Sequence, residues 1–368
     1  MTLAILGIGT ELPDAVIDKN DALLLARSLC NGTEEQETWL HAIYDGSGIS
    51  TRRFCLGDQV VRDVIDGTNF SNSVFIPKKI PGYRGPTTGE RMQLYAQLAP
   101  PLALSASRAA MKQSRTEPKK ITHVVTVSCT GFVAPGVDQV LIDALGLSRG
   151  VERTHVGYMG CHGALNGLRV ARAYVDANPE ARILICAVEL CCLHYYYGWD
   201  PQKIIANALF ADGAAALVVG PANAAEDDCW RLTATGSCLF PNSESAMTWT
   251  VGDNGFEMTL SKQVPAIIAE GLHPWLVEWL GANGRTVDEI RSWAVHPGGP
   301  RILDAVEDSL QLGRNGLTAS RDVLANYGNM SSPTTLFIIN QMREQKSPRP
   351  CVALGFGPGL ALEAALFE

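Results

Sequence analysis

Short apolar runs bounded by glycine or proline alternate along this chain with longer segments whose apolar positions recur at helical spacing. Residues 2–8 (TLAILGI) form an apolar run ending in glycine and read as a buried strand, whereas 19–44 carry the periodicity of an amphipathic helix. GSGISTRRF (46–54) is a turn followed by a basic patch. The stretch 56–88, with Gly, Pro, Asn and Asp throughout, reads as one long irregular excursion of the kind that often carries function. Helical character returns over 89–114, where Pro100 and Pro101 predict a kink or break.

From there strands and helices alternate. HVVTVS (123–128) reads as a strand, 136–145 as a helix, and RILICAV (182–188) and AAALVVG (214–220) as strands. After Pro221 the acidic run AAEDD marks a surface crossing and the expected boundary, dividing the chain into 1–222 and 223–368. The second part repeats the style, with WRLTATG as a strand, a helix over 262–281, SWAVH (292–296) as a strand, a helix from 300, and CVALGFG with ALEAALFE behind it. Uninterrupted apolar strands between helices predict an α/β fold in which a mixed sheet is covered on both faces. A duplication fits this pattern, although the two parts share no clear sequence identity.

Between the strands lies HVGYMGCHGALNGLRVARAYVDA (155–177), which reads as a turn, a cysteine and a helix. From Cys161 onward the polar residues Asn166, Arg169, Arg172 and Asp176 recur at spacings of 3, 3 and 4, drawing one narrow polar stripe on an otherwise apolar and therefore buried helix. Cys161 is thus expected at the helix N-terminus, where the dipole and free N–H groups favour a thiolate. Two readings stand at this point: a nucleophile, or a small apolar side chain at a packed turn.

Composition narrows the function classes. The chain has 368 residues, 46% hydrophobic and 18% charged, which describes an ordinary globular protein. A net charge of −8 and the absence of any Lys/Arg run argue against nucleic acid as a partner. No apolar run is long enough to span a membrane, and MTLAILGIGTELPD lacks the basic region and cleavage site of a signal peptide. GIGT (7–10) contains GxG without the third glycine or an opening helix, which argues against a dinucleotide site. The ten cysteines form no CxxC pair, and Cys191, Cys192 and His194 have the wrong spacing for zinc, so no metal is expected and the thiols are expected to be reduced, in the cytoplasm.

A cysteine nucleophile needs a base or ion-pair partner and a group that stabilises an oxyanion. Among the seven histidines, His296 ends a strand and opens the turn PGGP (297–300), which would aim it into a cleft; His123 and His162 read as structural. Asn329, in NYGNMSSPT (326–334), sits at a tight turn entering a helix, and its amide can donate to a developing enolate oxygen.

Cys161, His296 and Asn329, in that order and context, resemble the type III polyketide synthases, the chalcone synthase-like family. The resemblance covers essentially the whole chain and includes NALFADGAAALVVG (207–220), VHPGGPRILD (295–304), NYGNMSS (326–332) and GFGPGL (355–360). It implies a thiolase-like fold, two similar α/β halves forming a five-layer αβαβα core, as a homodimer. It also implies that Cys161 takes an acyl group from a thioester and is held as a thiolate by His296. His296 and Asn329 would form the oxyanion hole for decarboxylation of malonyl-CoA, and the enolate would lengthen the Cys-bound chain repeatedly before cyclisation. Phe210 would be the gatekeeper between the coenzyme A tunnel and the cavity. No cofactor is implied beyond coenzyme A thioesters as substrates.

The departures point to a bacterial-type enzyme. Trp39, Ala42 and Gly46 fall where the plant enzymes carry a basic trio for the coenzyme A phosphates, leaving Arg52, with Gly298 and Gly299, as the candidate contacts and leaving open whether the starter arrives on coenzyme A or an acyl carrier protein. Cys129, His194 and Met258 replace residues that shape the plant cavity, Ala134 replaces the Met that crosses the plant dimer interface, and Glu189 and Ser331 match two members of the aldol relay whose third is broken at Cys129. The alternative reading is a ketosynthase III-like enzyme making a single condensation with a carrier-bound unit; NYGNMSS and GFGPG favour the iterative enzyme. A non-catalytic thiolase-fold binding protein and a Cys-His-Asn hydrolase are weaker, the first because the trio is intact and the second because it needs water where this family excludes it.

Overall fold

The computed structural model describes residues 2–30, 32–222, 229–313 and 315–368. The first half opens with β1 (Leu3–Glu11), β2 (Ala15–Asp18), α1 (Lys19–Cys30), α2 (Glu34–Asp45), β3 (Thr51–Phe54), α3 (Asp58–Asp66) and α4 (Thr88–Ser114). It continues through β4 (His123–Ser128), α5 (Val137–Leu145), β5 (Glu152–Gly157), α6 (Gly163–Ala177), β6 (Ile183–Leu190), α7 (Pro201–Leu209) and β7 (Asp212–Pro221). The second half has β8 (Arg231–Leu239), β9 (Met247–Gly252), β10 (Gly255–Leu260), α8 (Val264–Ala282), β11 (Ser292–Val295) and α9 (Pro300–Leu310). It ends with α10 (Thr318–Tyr327), α11 (Ser332–Glu344), β12 (Cys351–Gly357) and β13 (Ala361–Phe367).

Among the described residues nine strands form one sheet in the order β11-β12-β13-β8-β1-β7-β6-β4-β5, and the two halves repeat each other within it. β1 pairs antiparallel with β7, β7 antiparallel with β6, and β6 parallel with β4; β8, β13, β12 and β11 make the same three pairings in the same sense. The duplication that sequence identity does not display is therefore written in strand order. The junction is short, with Leu3 opposite Leu232 and Ala4 opposite Arg231.

Alternation along the strands sorts side chains into layers. Leu165, Leu168 and Ala171 of α6 and Leu336, Ile338 and Ile339 of α11 share one core with Val125, Ile185 and Leu217 of the first half and Ala294, Ala353 and Ala365 of the second. The neighbouring strand residues face outward: Val124, Leu184 and Val218 lie under α4 and α5, while Val295, Val352 and Leu366 lie under α8 and α9. Helix, sheet, helix, sheet, helix gives the five-layer αβαβα core, with α6 and α11 buried at its centre.

Several expectations are corrected. The expected helix over 19–44 is two helices, α1 and α2, with a Thr33–Gln36 capping box starting the second. Residues 56–88 are not wholly irregular, since α3 lies within them. α4 runs unbroken through Pro100 and Pro101. Each proline removes one N–H bond, but the stripe Ala99, Ala103, Ala106 and Ala110 is fully buried on the sheet and holds the helix together. The GxG of β1 serves that same packing: a Cβ at Gly9 would lie 2.5 Å from the backbone N of Ala110. Two elements escaped the hydrophobic pattern for a common reason. β5 is an edge strand whose only buried residue is Val156, and the β9–β10 hairpin is largely half-exposed. The acidic run expected to mark the boundary lies outside the described residues.

Candidate active site

Cys161 sits immediately before His162, the N-cap of α6, 5% exposed, at the end of a turn whose Gly160 adopts φ +81. A side chain at Gly160 would be strained there and would overlap Pro358 of the GFGPG turn, so the nucleophile turn and the C-terminal motif pack directly together. Cys129 holds the same turn from the other side: Gly160 N–H donates to its Sγ at 3.0 Å.

Asn329 is placed by backbone bonds to the strand end that carries Phe210. Its N–H donates to Leu209 O at 2.9 Å, and Ala211 N–H donates to its carbonyl at 2.8 Å. The amide Oδ1 accepts from Ser331 N–H at 2.8 Å, which leaves Nδ2 as the group presented to the site. The Asn329 and Ser331 side chains both favour the ionised form of the Cys161 sulfur. His296 follows β11; its backbone N–H donates to Leu354 O at 2.8 Å, while the side chain is buried at 1% exposure and neither ring nitrogen has a hydrogen-bond partner among the described residues. A buried imidazole with two idle nitrogens is costly to keep unless a ligand or a proton transfer uses it.

Electrostatics correct one expectation. Burial pushes the Cys161 thiol up to about 12, with Ser331 and Asn329 pulling back, and burial with His162 nearby pushes His296 down to about 3. Burial thus favours the neutral form of each group. The helix N-terminus is worth about 0.3–2 kcal/mol and is outweighed by the loss of solvent around a buried charge. Burial therefore works against the thiolate expected from helix position alone.

Cys129, Cys161, His194, Phe210, Met258 and Ser331 line one predominantly apolar cavity, to which Trp249 and Phe256 add aromatic wall. His194 is fixed rather than reactive: its Nε2 pairs with Thr130 O at 2.6 Å, Phe256 N–H donates to its Nδ1 at 2.9 Å, and its ring stacks on Phe256 at 4.2 Å. Trp249, which the sequence reading missed, closes the cavity by donating Nε1–H to Cys129 O at 2.8 Å.

Glu189 is not in the cavity wall. It is fully buried behind it, and its carboxylate accepts from Thr130 Oγ1 at 2.6 Å, Ser332 Oγ at 2.6 Å and the Cys129 N–H at 2.9 Å. The hydroxyl partner is thus Ser332, whereas Ser331 faces Cys161. Arg52 is a second correction. It is 1% exposed and donates to Asn207 O at 3.1 Å, Ala208 O at 2.7 Å and Phe210 O at 3.2 Å. Its guanidinium holds the C-terminal end of α7 and cannot reach a coenzyme A phosphate. Gly298 and Gly299 instead line a separate apolar cleft with Leu209 and Ala208, rimmed by Lys262 and Arg301. Leu209 and Phe210 are thus neighbours in sequence that face different spaces.

Among the described residues, Cys55, Cys192 and Asp212 form the one group that could hold a metal. Cys192 Sγ donates to Asp212 Oδ2 at 2.6 Å, well short of the about 3.5 Å that sulfur and oxygen span across zinc, and the carboxylate also accepts from both backbone N–H groups. These contacts suit a hydrogen-bonded buried carboxylate better than an ion.

Comparison with known proteins agrees with this arrangement. The family described as chalcone and stilbene synthases matches through its N-terminal domain at residues 2–223 and its C-terminal domain at residues 231–368. The chain is 32% identical over 375 residues to the alpha-pyrone synthesis polyketide synthase-like Pks18 of Mycobacterium tuberculosis, covering 100% of this chain and 91% of that protein. Its fold matches the crystal structure of PKS-I from the brown alga Ectocarpus siliculosus with a TM-score of 0.90 at 31% identity, covering 100% and 98% of the two chains. It also matches the C-terminal type III polyketide synthase domain of Steely1 from Dictyostelium, with a TM-score of 0.88 at 29% identity and coverage of 100% and 99%. Matched over both halves in sequence and over its whole length in fold, the chain belongs to the chalcone and stilbene synthase family and is a type III polyketide synthase, an acyltransferase of thiolase-like fold.

Proposed function

We propose that Cys161 carries the acyl starter and then the growing chain, while His296 and Asn329 generate the attacking enolate. The observation that carries this reading is that Cys161 and Ser331 line one cavity and that Asn329 and Ser331 both favour the thiolate, together with a buried His296 whose two ring nitrogens have no hydrogen-bond partner among the described residues. Transfer of the thiol proton to His296 forms an ion pair without bringing net charge into the buried site, so two groups that burial keeps neutral separately become charged together. The thiolate attacks the starter thioester carbonyl and coenzyme A leaves as the thiol. Malonyl-CoA then loses CO2, and Asn329 Nδ2–H with the His296 ring N–H holds the enolate oxygen. The enolate carbon attacks the Cys161 thioester, the Cys161 sulfur leaves, and the lengthened chain returns to it for the next round. Apolar walls at Phe210 and Met258 disfavour the malonyl carboxylate relative to neutral CO2.

The cleft at Gly298 and Gly299 suits the pantetheine arm of coenzyme A, and Lys262 and Arg301 at its rim suit the phosphates in place of Arg52. A second copy of the chain suits the exposed apolar residues Phe132, Tyr158, Met159 and Leu239, which lie beside the nucleophile turn and GFGPG, and supports a homodimer. The test is made on the Cys161→Ala protein: it forms no acyl adduct and no condensed product but still releases CO2 from malonyl-CoA. Full-length product from Cys161→Ala refutes the assignment, and a single extension from every starter thioester favours the one-step ketosynthase.

A further inference from the structure

The acyl cavity is not apolar throughout. Lys203 lies on α7 one turn before Ala206, on the same helix face, and lines the cavity together with Glu257 of β10. Lys203 Nζ meets Glu257 Oε2 at 2.6 Å and sits 4.5 Å from the centre of the Tyr196 ring, while Asp200 Oδ2 stands at 3.8 Å, beyond a hydrogen bond. One ammonium hydrogen is therefore committed and two remain to donate. Glu257 Oε1 accepts no hydrogen bond among the described residues. With side chains 19% and 38% exposed, the pair is partly withdrawn from water in the lining of the same cavity that Cys161 lines.

We propose that Lys203 and Glu257 are specificity-determining residues that receive a hydroxyl or carbonyl oxygen at the end of the acyl group remote from its thioester. This rests on the reading of Cys161 as the acyl-carrying residue. An alkyl terminus lying against the pair strips water from an ammonium and a carboxylate and returns no hydrogen bond, whereas a hydroxyl donates to Glu257 and accepts from Lys203. Opposite charges on the two side chains favour a neutral polar terminus over an ionised one. The enzyme therefore selects starters bearing oxygen at the far end over unsubstituted alkyl chains of equal length.

The test uses the full-length protein with two coenzyme A thioesters matched in chain length, an alkanoyl and its terminally hydroxylated counterpart. The rate of acyl transfer to Cys161 is read by intact-protein mass spectrometry without malonyl-CoA. The hydroxylated starter is expected to acylate about tenfold faster or more. The Lys203→Met/Glu257→Leu protein brings the ratio to one or inverts it, and Glu257→Gln, which still hydrogen-bonds a hydroxyl, keeps the preference. If the double variant does not fold, Lys203→Met alone is read by the same ratio. Equal rates in the wild type, or a double variant that slows both starters in proportion, overturns the proposal and leaves the pair as a tie between α7 and β10. Adducts from neither starter refute the acyl-carrier reading of Cys161 and the proposal with it.

Discussion

Cys129 holds the nucleophile's turn in place: the N–H of Gly160, the residue before Cys161, donates to Cys129 Sγ at 3.0 Å. The position that departs from the plant pattern is thus not only a cavity wall. Its carbonyl also accepts from Trp249 and its N–H is held by Glu189, so one residue links turn, cavity wall and buried carboxylate. Cys129→Ala leaves the buried Gly160 N–H without a partner and is expected to cost about 1–3 kcal/mol in urea unfolding. Cys129→Ser, with an acceptor in place, should lose less; equal losses would show that the N–H···S contact contributes nothing.

Asn329→Asp tests the enolate role. The replacement keeps the size and the acceptor for Ser331 N–H but removes the Nδ2 donor and adds a repelling charge. Malonyl-CoA decarboxylation is expected to fall about 10²–10³-fold in kcat. Acylation of Cys161 by a starter thioester is expected to survive. A parallel fall in both steps would place Asn329 in support of Cys161 rather than of the enolate.

Acid should weaken this fold through buried histidines. Burial pushes His194 and His296 each down from 6.5 to about 3, so both stay neutral in the folded chain while the unfolded chain takes up protons first. The stability they hold is full above pH 6.5 and is lost as pH falls toward 3, reaching about 2 kcal/mol per histidine at pH 5. Urea unfolding at pH 7.5 and pH 5.0 should show that loss to be smaller in His194→Gln by about 2 kcal/mol. The same loss in both proteins would mean that His194 takes its proton without leaving the fold.

Trp249 forms part of the cavity wall. Its ring stands edge-on to His194 and Phe256, each at 5.8 Å. Trp249→Ala opens space beside Cys129, and products carrying at least one more malonyl unit are expected by mass spectrometry. The half-buried ring should cost about 2 kcal/mol of stability. An unchanged product length would place the limit on chain growth elsewhere.

Arg52 and the cleft cations should separate cleanly. Arg52→Met abandons three carbonyls and is expected to destabilise the fold by about 3 kcal/mol or more. Lys262→Ala and Arg301→Ala should leave the melting temperature unchanged and raise KM for malonyl-CoA about fivefold each. A raised KM with normal stability in Arg52→Met would restore it as a phosphate contact.

The sequence by itself determined the alternation of buried strands and helices, because runs of branched apolar residues admit few other arrangements, and it singled out Cys161, His296 and Asn329 as candidates through their flanking turns. Glycines before Cys161, PGGP after His296 and Gly328 before Asn329 mark sharp local geometry that one chain can announce. Tertiary structure decided the rest. Two arginines in TRRF are indistinguishable in a string, yet Arg52 turns inward because the C-terminal end of α7 leaves carbonyls that need donors. Ser331 and Ser332 are adjacent, but one faces the nucleophile and the other Glu189 because a helix begins between them. The charge states of Cys161 and His296 follow from how much water reaches them, a property of five stacked layers and of no single segment.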